Sequence, residues 1–350
     1  MKISLFITTL LPLLTPASPV AQDEAEQRGS DHGGKGGELD FALVGFAKDN
    51  PIGPTTGGEG GKTSMVETFE ALQSAVAGGE KKIVYLKGTL NNPPARLKVG
   101  SNTSLLGWGR GGELTGNGID VNGADNVIIR NLGIRNVLNA DGLQIINSTR
   151  VWVDHNEFES SGLDNGPDYN DGQCDIVRGS NWITVSWNYF HDHWKSSLVG
   201  NSDVLREVDT FKLRITYHHN RWEREGTRAP AGRFGRQHIY NNYYNDYFFQ
   251  AIHSRSDNHV LVEGNVFRGN TSEALSTYGL VIPEDSPNTC VCGDEELDGF
   301  ANLGSENDFG GAGVNITRVG NFTKAPYKYE LTPLNKVISD VTRGSGLGKI

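Results

Sequence analysis

The chain has 350 residues, 45 of them glycine, and a formal net charge of −10 at neutral pH. That length suits one large core, and the glycine suits many tight bends. The negative charge argues against nucleic acid as a partner. Cysteine gives little: of Cys174, Cys290 and Cys292, at least one is unpaired within the chain. A bridge from Cys174 to one of the close pair is more plausible than one within it.

Residues 3–14 are mostly apolar behind Lys2, and small residues follow from Pro16 to Ala21. Residues 1–21 therefore read as a secretory signal peptide, too short to span a bilayer. Residues 22–37 are polar and Gly-rich and are expected to be a disordered leader. Residues 38–350 are expected to be one domain with no membrane span. Residues 48–61 are Gly-rich and read as irregular. Thr68 to Ala77 has helical spacing, with Phe69, Leu72 and Val76 on one face. Lys82-Ile-Val-Tyr-Leu-Lys-Gly is the first strong strand.

From there a phrase recurs: an apolar run, an Asn, a variable residue, usually an aromatic. It is centred on Asn131, Asn156, Asn188, Asn220, Asn242 and Asn265, at spacings of 25, 32, 32, 22 and 23 residues. Each copy carries a short β-branched or aromatic strand, and no amphipathic helix separates the copies. Parallel strands at this period predict an all-β parallel β-helix, in which each turn adds a strand to each wall. A β-sandwich is the alternative. In the β-helix the Asn side chains form a ladder, each amide bonding its counterpart one turn away. The aromatics two residues later stack inside. The helix near residue 70 caps the open end, where bare strand edges invite aggregation. The tail from Asn302 onward is expected to lack the repeat and to pack along the outside. Sequons at Asn102, Asn147, Asn270, Asn315 and Asn321 suit a secreted glycoprotein.

The ladder serves as a ruler for the charged residues. Lys195 follows Asn188 by seven residues and Arg228 follows Asn220 by eight, so they fall on adjacent turns at nearly one phase. Asp141 and Asp175 precede their ladder Asn by fifteen and thirteen residues. Asp171 and Asp175, four apart, share a face of an extended strand. Three converging carboxylates repel unless a cation sits among them, and hard oxygen ligands suit Ca2+. Lys195, Arg228 and Arg233 form a basic patch beside them, able to hold a polyanion that the overall charge repels.

At these residues the chain resembles the pectate lyase family of polysaccharide lyases. Val151-Trp-Val-Asp-His155, Asp171-Gly-Gln-Cys-Asp175, Asn188-Tyr-Phe-His-Asp-His-Trp-Lys195 and Arg228-Ala-Pro-Ala-Gly-Arg233 carry the resemblance, the last most specifically. Weaker similarity extends it over most of residues 38–350. The resemblance implies a right-handed parallel β-helix that cleaves α-1,4-polygalacturonate by β-elimination to 4,5-unsaturated products, as a secreted monomer. It implies Arg228 as the base that removes the C5 proton, Lys195 and Arg233 on substrate carboxylates, and Asp141, Asp171 and Asp175 on Ca2+. Arginine is ordinarily protonated, with a reference pKa above about 12, so this role implies an alkaline optimum. Family members often carry an Asp where this chain has Asn139, which implies weaker calcium binding. A calcium-independent pectin lyase is the nearest rival, and the retained Asp cluster argues against it. A polygalacturonase-type hydrolase needs a carboxylate pair, and its Asn-Thr-Asp and Gly-His-Gly phrases are absent. A non-enzymatic cell-wall binding β-helix would have no reason to keep Lys195 and Arg228 in phase.

Overall fold

The computed structural model describes residues 39–279 and 297–350. The expected signal peptide and leader, and Cys290 and Cys292, lie outside the described residues. Cys174 is a buried free thiol.

The chain is a coil of short parallel strands with three walls. The first wall includes Asp125–Arg130, Thr149–Asp154, Asn181–Ser186, Arg214–His218, Arg236–Tyr240, His259–Glu263 and Phe300–Leu303. The second includes Leu132–Arg135, Glu157–Glu159, Tyr189–Lys195, Arg221–Thr227 and Val266–Arg268. The third includes Ile119–Asn122, Leu143–Ile146, Cys174–Val177, Leu198–Val199, Ala231–Arg233, Glu273–Ser276 and Gly313–Asn315. Three longer strands, Lys82–Asn91, Thr103–Thr115 and Tyr243–Arg255, run round a corner and serve two walls. Every pairing between these strands is parallel, which is the predicted β-helix and excludes the sandwich.

The helix Phe69–Val76 starts at Thr68, whose Oγ1 accepts from Ala71 N at 3.3 Å. Such a cap satisfies one of the otherwise orphaned first-turn donors. The helix buries Leu72 and Val76 in the same core as Val84, Leu86 and Val99, so it closes the end of the coil. A strand at Lys62–Val66 precedes it and pairs with residues 82–86.

The Asn ladder stands at the corner between the first and second walls. Nδ2 of Asn156, Asn188, Asn220 and Asn242 each donates at 3.0 Å to Oδ1 of the next Asn, which carries the run to Asn265. Each Oδ1 also accepts the backbone N–H of the preceding ladder Asn. The residue before each of these rungs, His155, Trp187, His219, Asn241 or Gly264, takes a positive φ that makes the bend. The inner aromatics stack as expected: Phe158, Phe190, Trp222, Tyr244 and Phe267 follow one another at 4.1–6.1 Å between ring centroids.

Two expectations are corrected here. Asn131 is not a rung. Arg130 pairs with Asp154, so Asn131 falls opposite His155 and takes the left-handed bend conformation itself, with φ +59°. Its neighbour Leu132 supplies the N–H that meets Asn156 Oδ1 at 3.0 Å. The repeat also does not stop before Asn302. Asn265 Nδ2 donates to Asn307 Oδ1 at 3.1 Å, Phe309 continues the aromatic stack, and Phe300–Leu303 and Gly313–Asn315 extend two walls. Beyond that the tail packs outside, burying Phe322, Ala325 and Tyr327 against Phe46 and Leu261, and Val337 and Val341 against Val266.

Among the described residues no helix is long and apolar enough to cross a membrane. Asn147, Asn270, Asn315 and Asn321 are exposed, whereas the Asn102 side chain is engaged with Gly79 O and Asn126 Nδ2 at 2.9 Å each.

Candidate active site

The charged residues meet at the opposite corner, where the second wall turns into the third. Lys195 ends its strand and pairs in register with Thr227, and Thr227 pairs with Gln250. Arg228 is therefore one residue past the register partner of Lys195, as the spacings from the ladder require. The backbone of Arg228 has φ +71° and is held on both sides. Its carbonyl accepts from Ser197 N at 2.7 Å, and its N–H donates to Gln250 O at 3.1 Å. Its side chain makes no hydrogen bond or ion pair among the described residues. A fixed backbone thus presents a guanidinium whose donors are not spent.

Asp175 lies in the strand Cys174–Val177, opposite Gln144. Its Oδ1 accepts from Leu198 N at 3.0 Å. Asp141 precedes the strand Leu143–Ile146, and its two oxygens accept from Gly172 N at 2.8 Å and Gln144 Nε2 at 2.7 Å. Gly172 sits between them: its N–H serves Asp141, and a Cβ there would collide with the Asp175 carboxylate. Both aspartates are only 6 % exposed. Burial, and then the charge of Asp171, push Asp141 up to about 6. Burial, and then the charge of Asp141, push Asp175 well above the ordinary carboxylate range, while Arg228 pulls it back down. Two desolvated carboxylates that repel each other favour the binding of a proton or a cation between them.

Asp171 differs from the expectation for its position. The strand begins at Cys174, so Asp171 lies in the loop before it and shares no strand face with Asp175. Its side chain is half exposed and turns to Lys195 Nζ at 3.2 Å. Lys195 also meets Asp168 Oδ1 at 3.0 Å, a residue that no motif singled out. His193 fastens this loop. Its Nε2 lies 2.6 Å from Asp171 O and its Nδ1 2.8 Å from Ser160 Oγ, and burial lowers it to about 4, so it stays neutral. Arg233 is nearly buried and donates to Asp203 Oδ2 at 2.8 Å and to Gly200 O at 3.0 Å. Arg96, also missed, donates to the Asp141 carbonyl at 2.6 Å and pairs with Asp120. The signal for Asp168 and Asp203 was present in the spacing. Both turns of 32 residues carry an extra loop, and each loop supplies one of these acids. Asn139 is exposed, with φ +53°.

Among the described residues one trio of possible metal ligands falls within 4.8 Å, and it is Glu157, Glu159 and His191 on the second wall. Arg135 already bridges both of these glutamates, at 2.8 Å to Glu157. The Asp trio is looser because Asp171 is turned toward Lys195.

The profile of the pectate lyases matches residues 39–350. The chain belongs to the pectate lyase family. It is a polysaccharide lyase, as the resemblance implied. This lyase is 38 % identical over 349 residues to a probable pectate lyase A of Neosartorya fischeri, covering 97 % of this chain and 98 % of the relative. It is 36 % identical to a pectate trisaccharide-lyase of Bacillus licheniformis, covering 100 % and 99 %. A Bacillus sp. N165 pectate lyase, crystallised with trigalacturonate, superposes on the lyase with a TM-score of 0.73 at 30 % identity. The match covers 88 % of this chain and 99 % of that one.

Proposed function

We propose that this lyase is secreted and cleaves α-1,4-polygalacturonate by calcium-dependent β-elimination, leaving 4,5-unsaturated oligogalacturonides. The observation that carries the reading is Arg228: a guanidinium on a doubly pinned backbone, without a hydrogen bond or ion pair among the described residues, close enough to the buried Asp175 to act on its charge. In this reading Arg228 removes the C5 proton of a uronate unit. Its fixed backbone means that little reorganisation is needed when the substrate arrives.

A proton beside a carboxylate is a poor acid, because its loss places more charge next to an existing anion. Lys195 lowers that cost by holding a uronate carboxylate. Arg233, packed on Asp203, is assigned the neighbouring carboxylate. The donor set of Asp141, Asp171 and Asp175 fits Ca2+, since two of the three are buried carboxylates that repel each other. When bound there, Ca2+ would supply positive charge that neutralises the carboxylate beside the reacting carbon. Asp171 would have to leave Lys195 to join that set, which leaves the lysine with Asp168 as its remaining ion-pair partner among the described residues. Water is left to protonate the departing O4.

The test is incubation with polygalacturonate, with calcium and then with a chelator. Ultraviolet absorbance of an unsaturated uronate that disappears with chelator supports the reading. Absorbance that persists in chelator contradicts the calcium dependence. New reducing ends without absorbance contradict the elimination itself.

A further inference from the structure

The Asp168 carboxylate is 70 % exposed, and Lys195 is its only hydrogen-bond or ion-pair partner among the described residues. A carboxylate so well hydrated has no need of the lysine. The lysine, at 12 % exposure, does need a counter-ion, because a largely buried ammonium without one is costly. Asp171 also meets it at 3.2 Å, and with Asp171 drawn to the calcium of the proposed site Asp168 is the one left to it. The loop that delivers Asp168 is tied down around it. Trp194 Nε1 donates to Leu163 O at 2.6 Å, and the buried Asn170 Nδ2 donates to Val137 O at 2.7 Å. His193 holds Asp171 O, as described above. Three successive residues, His193 to Lys195, thus grip one loop, and its crest places an anion on the ammonium.

We propose that Asp168 is a stand-in counter-ion that Lys195 exchanges for a uronate carboxylate, and that it sets how strongly the groove prefers charged over methyl-esterified units. This rests on Lys195 holding a substrate carboxylate. The exchange swaps one carboxylate for another, so a charged unit must displace Asp168 and binds less tightly by the worth of that pair. A methyl-esterified unit displaces nothing. Lys195 stays paired to Asp168 beneath it, and the groove avoids burying a bare ammonium. Asp168 therefore weakens binding of charged units and makes neutral ones tolerable. An exposed ion pair of this kind corresponds to a factor of up to about five in affinity.

The experiment compares kcat and KM for polygalacturonate and for partially methyl-esterified pectin, at one saturating calcium concentration. Four variants are used: Asp168→Asn, Asp164→Asn, Lys195→Ala and the Lys195→Ala/Asp168→Asn double variant. Asp164 is exposed in the same loop and controls for the general loss of one negative charge. For Asp168→Asn we expect KM for polygalacturonate to fall about two- to five-fold. Its kcat/KM ratio for polygalacturonate over esterified pectin should rise by a similar factor. Asp164→Asn should do clearly less, and Asp168→Asn should have no effect in the Lys195→Ala background. Where turnover is too slow, trigalacturonate affinity by calorimetry replaces KM. An unchanged or lower selectivity ratio in Asp168→Asn overturns the proposal, as does an equal rise in Asp164→Asn. If Lys195→Ala leaves KM untouched, the role of Lys195 falls first and the stand-in falls with it. A raised KM in Lys195→Ala with no change in Asp168→Asn overturns the stand-in alone.

Discussion

The same coil builds two polar corners, and they obey opposite rules. At the corner between the first and second walls, Asn156 to Asn307 form a buried stack in which every amide both donates and accepts. At the corner between the second and third walls, Asp141 and Asp175 are also buried but, when ionised, can only accept. Neutral amides complete one another, so their stack needs nothing from outside. Carboxylates repel one another, so theirs is relieved by a proton or by a cation. The first corner is complete as scaffold and the second is the one proposed as a site, and the side chains' donor–acceptor inventory draws the distinction.

Substitutions should separate the two corners. The largest effect is expected at Arg228→Ala, which removes the base. Turnover of polygalacturonate should fall by a factor on the order of 10^3 or more. The unfolding temperature should barely move, since the side chain makes no hydrogen bond or ion pair among the described residues. Retained turnover would move the base elsewhere. Asn220→Leu should do the reverse. It strips the acceptor from Asn188 N and Nδ2 and removes the Nδ2 donor from Asn242 Oδ1 and Val185 O, while the backbone N–H of residue 220 still reaches Asn242 Oδ1. A loss of about 2–4 kcal/mol in denaturant unfolding follows, while kcat of the folded fraction stays near wild type.

A third difference is in pH. The folded pKa of Asp141 is raised from 3.8 to about 6. At this group the folded state therefore holds more protons than the unfolded chain between those values, so its contribution to metal-free stability should fall as pH rises through that window, against the opposite contribution of the histidines that burial keeps neutral. Calcium at neutral pH should restore it. Thermal unfolding of wild type and Asp141→Asn from pH 4 to 7, with chelator and with calcium, checks both signs; a metal-free wild type that gains on the variant as pH rises would mean the pair is not repelling. The smallest effect is expected at Asn139→Asp, which adds a carboxylate near the cluster. The calcium concentration for half-maximal rate should drop several-fold with kcat nearly unchanged, and no drop would place residue 139 outside the metal's reach.

The wall strands and the ladder from Asn156 to Asn265 were legible because a bend repeated in every turn imposes one phase on all copies. Asn131 was misread because an apolar run before an Asn looks alike whether the Asn is the rung or the bend. Only the pairing of Arg130 with Asp154 tells them apart. Asn307 was missed because 42 residues separate it from Asn265, beyond any period in the chain. Its local phrase, Asn307-Asp-Phe309, was in plain view. In the site, Lys195 and Arg228 sit on strands and their juxtaposition could be read by subtraction. Asp168 and Asp203 sit on the loops that the two longer turns insert. A loop's path is set by contacts such as Trp194 with Leu163, which no spacing encodes.

The most direct test of the two-corner distinction is calorimetric titration with calcium, without substrate, at mildly alkaline pH. Wild type, Asp175→Asn and Asn220→Leu would be titrated at a temperature where all three are folded. The expected result is calcium binding in wild type and in Asn220→Leu, and its loss in Asp175→Asn. Binding that survives unchanged in Asp175→Asn would contradict the assignment of the charged corner as the cation site.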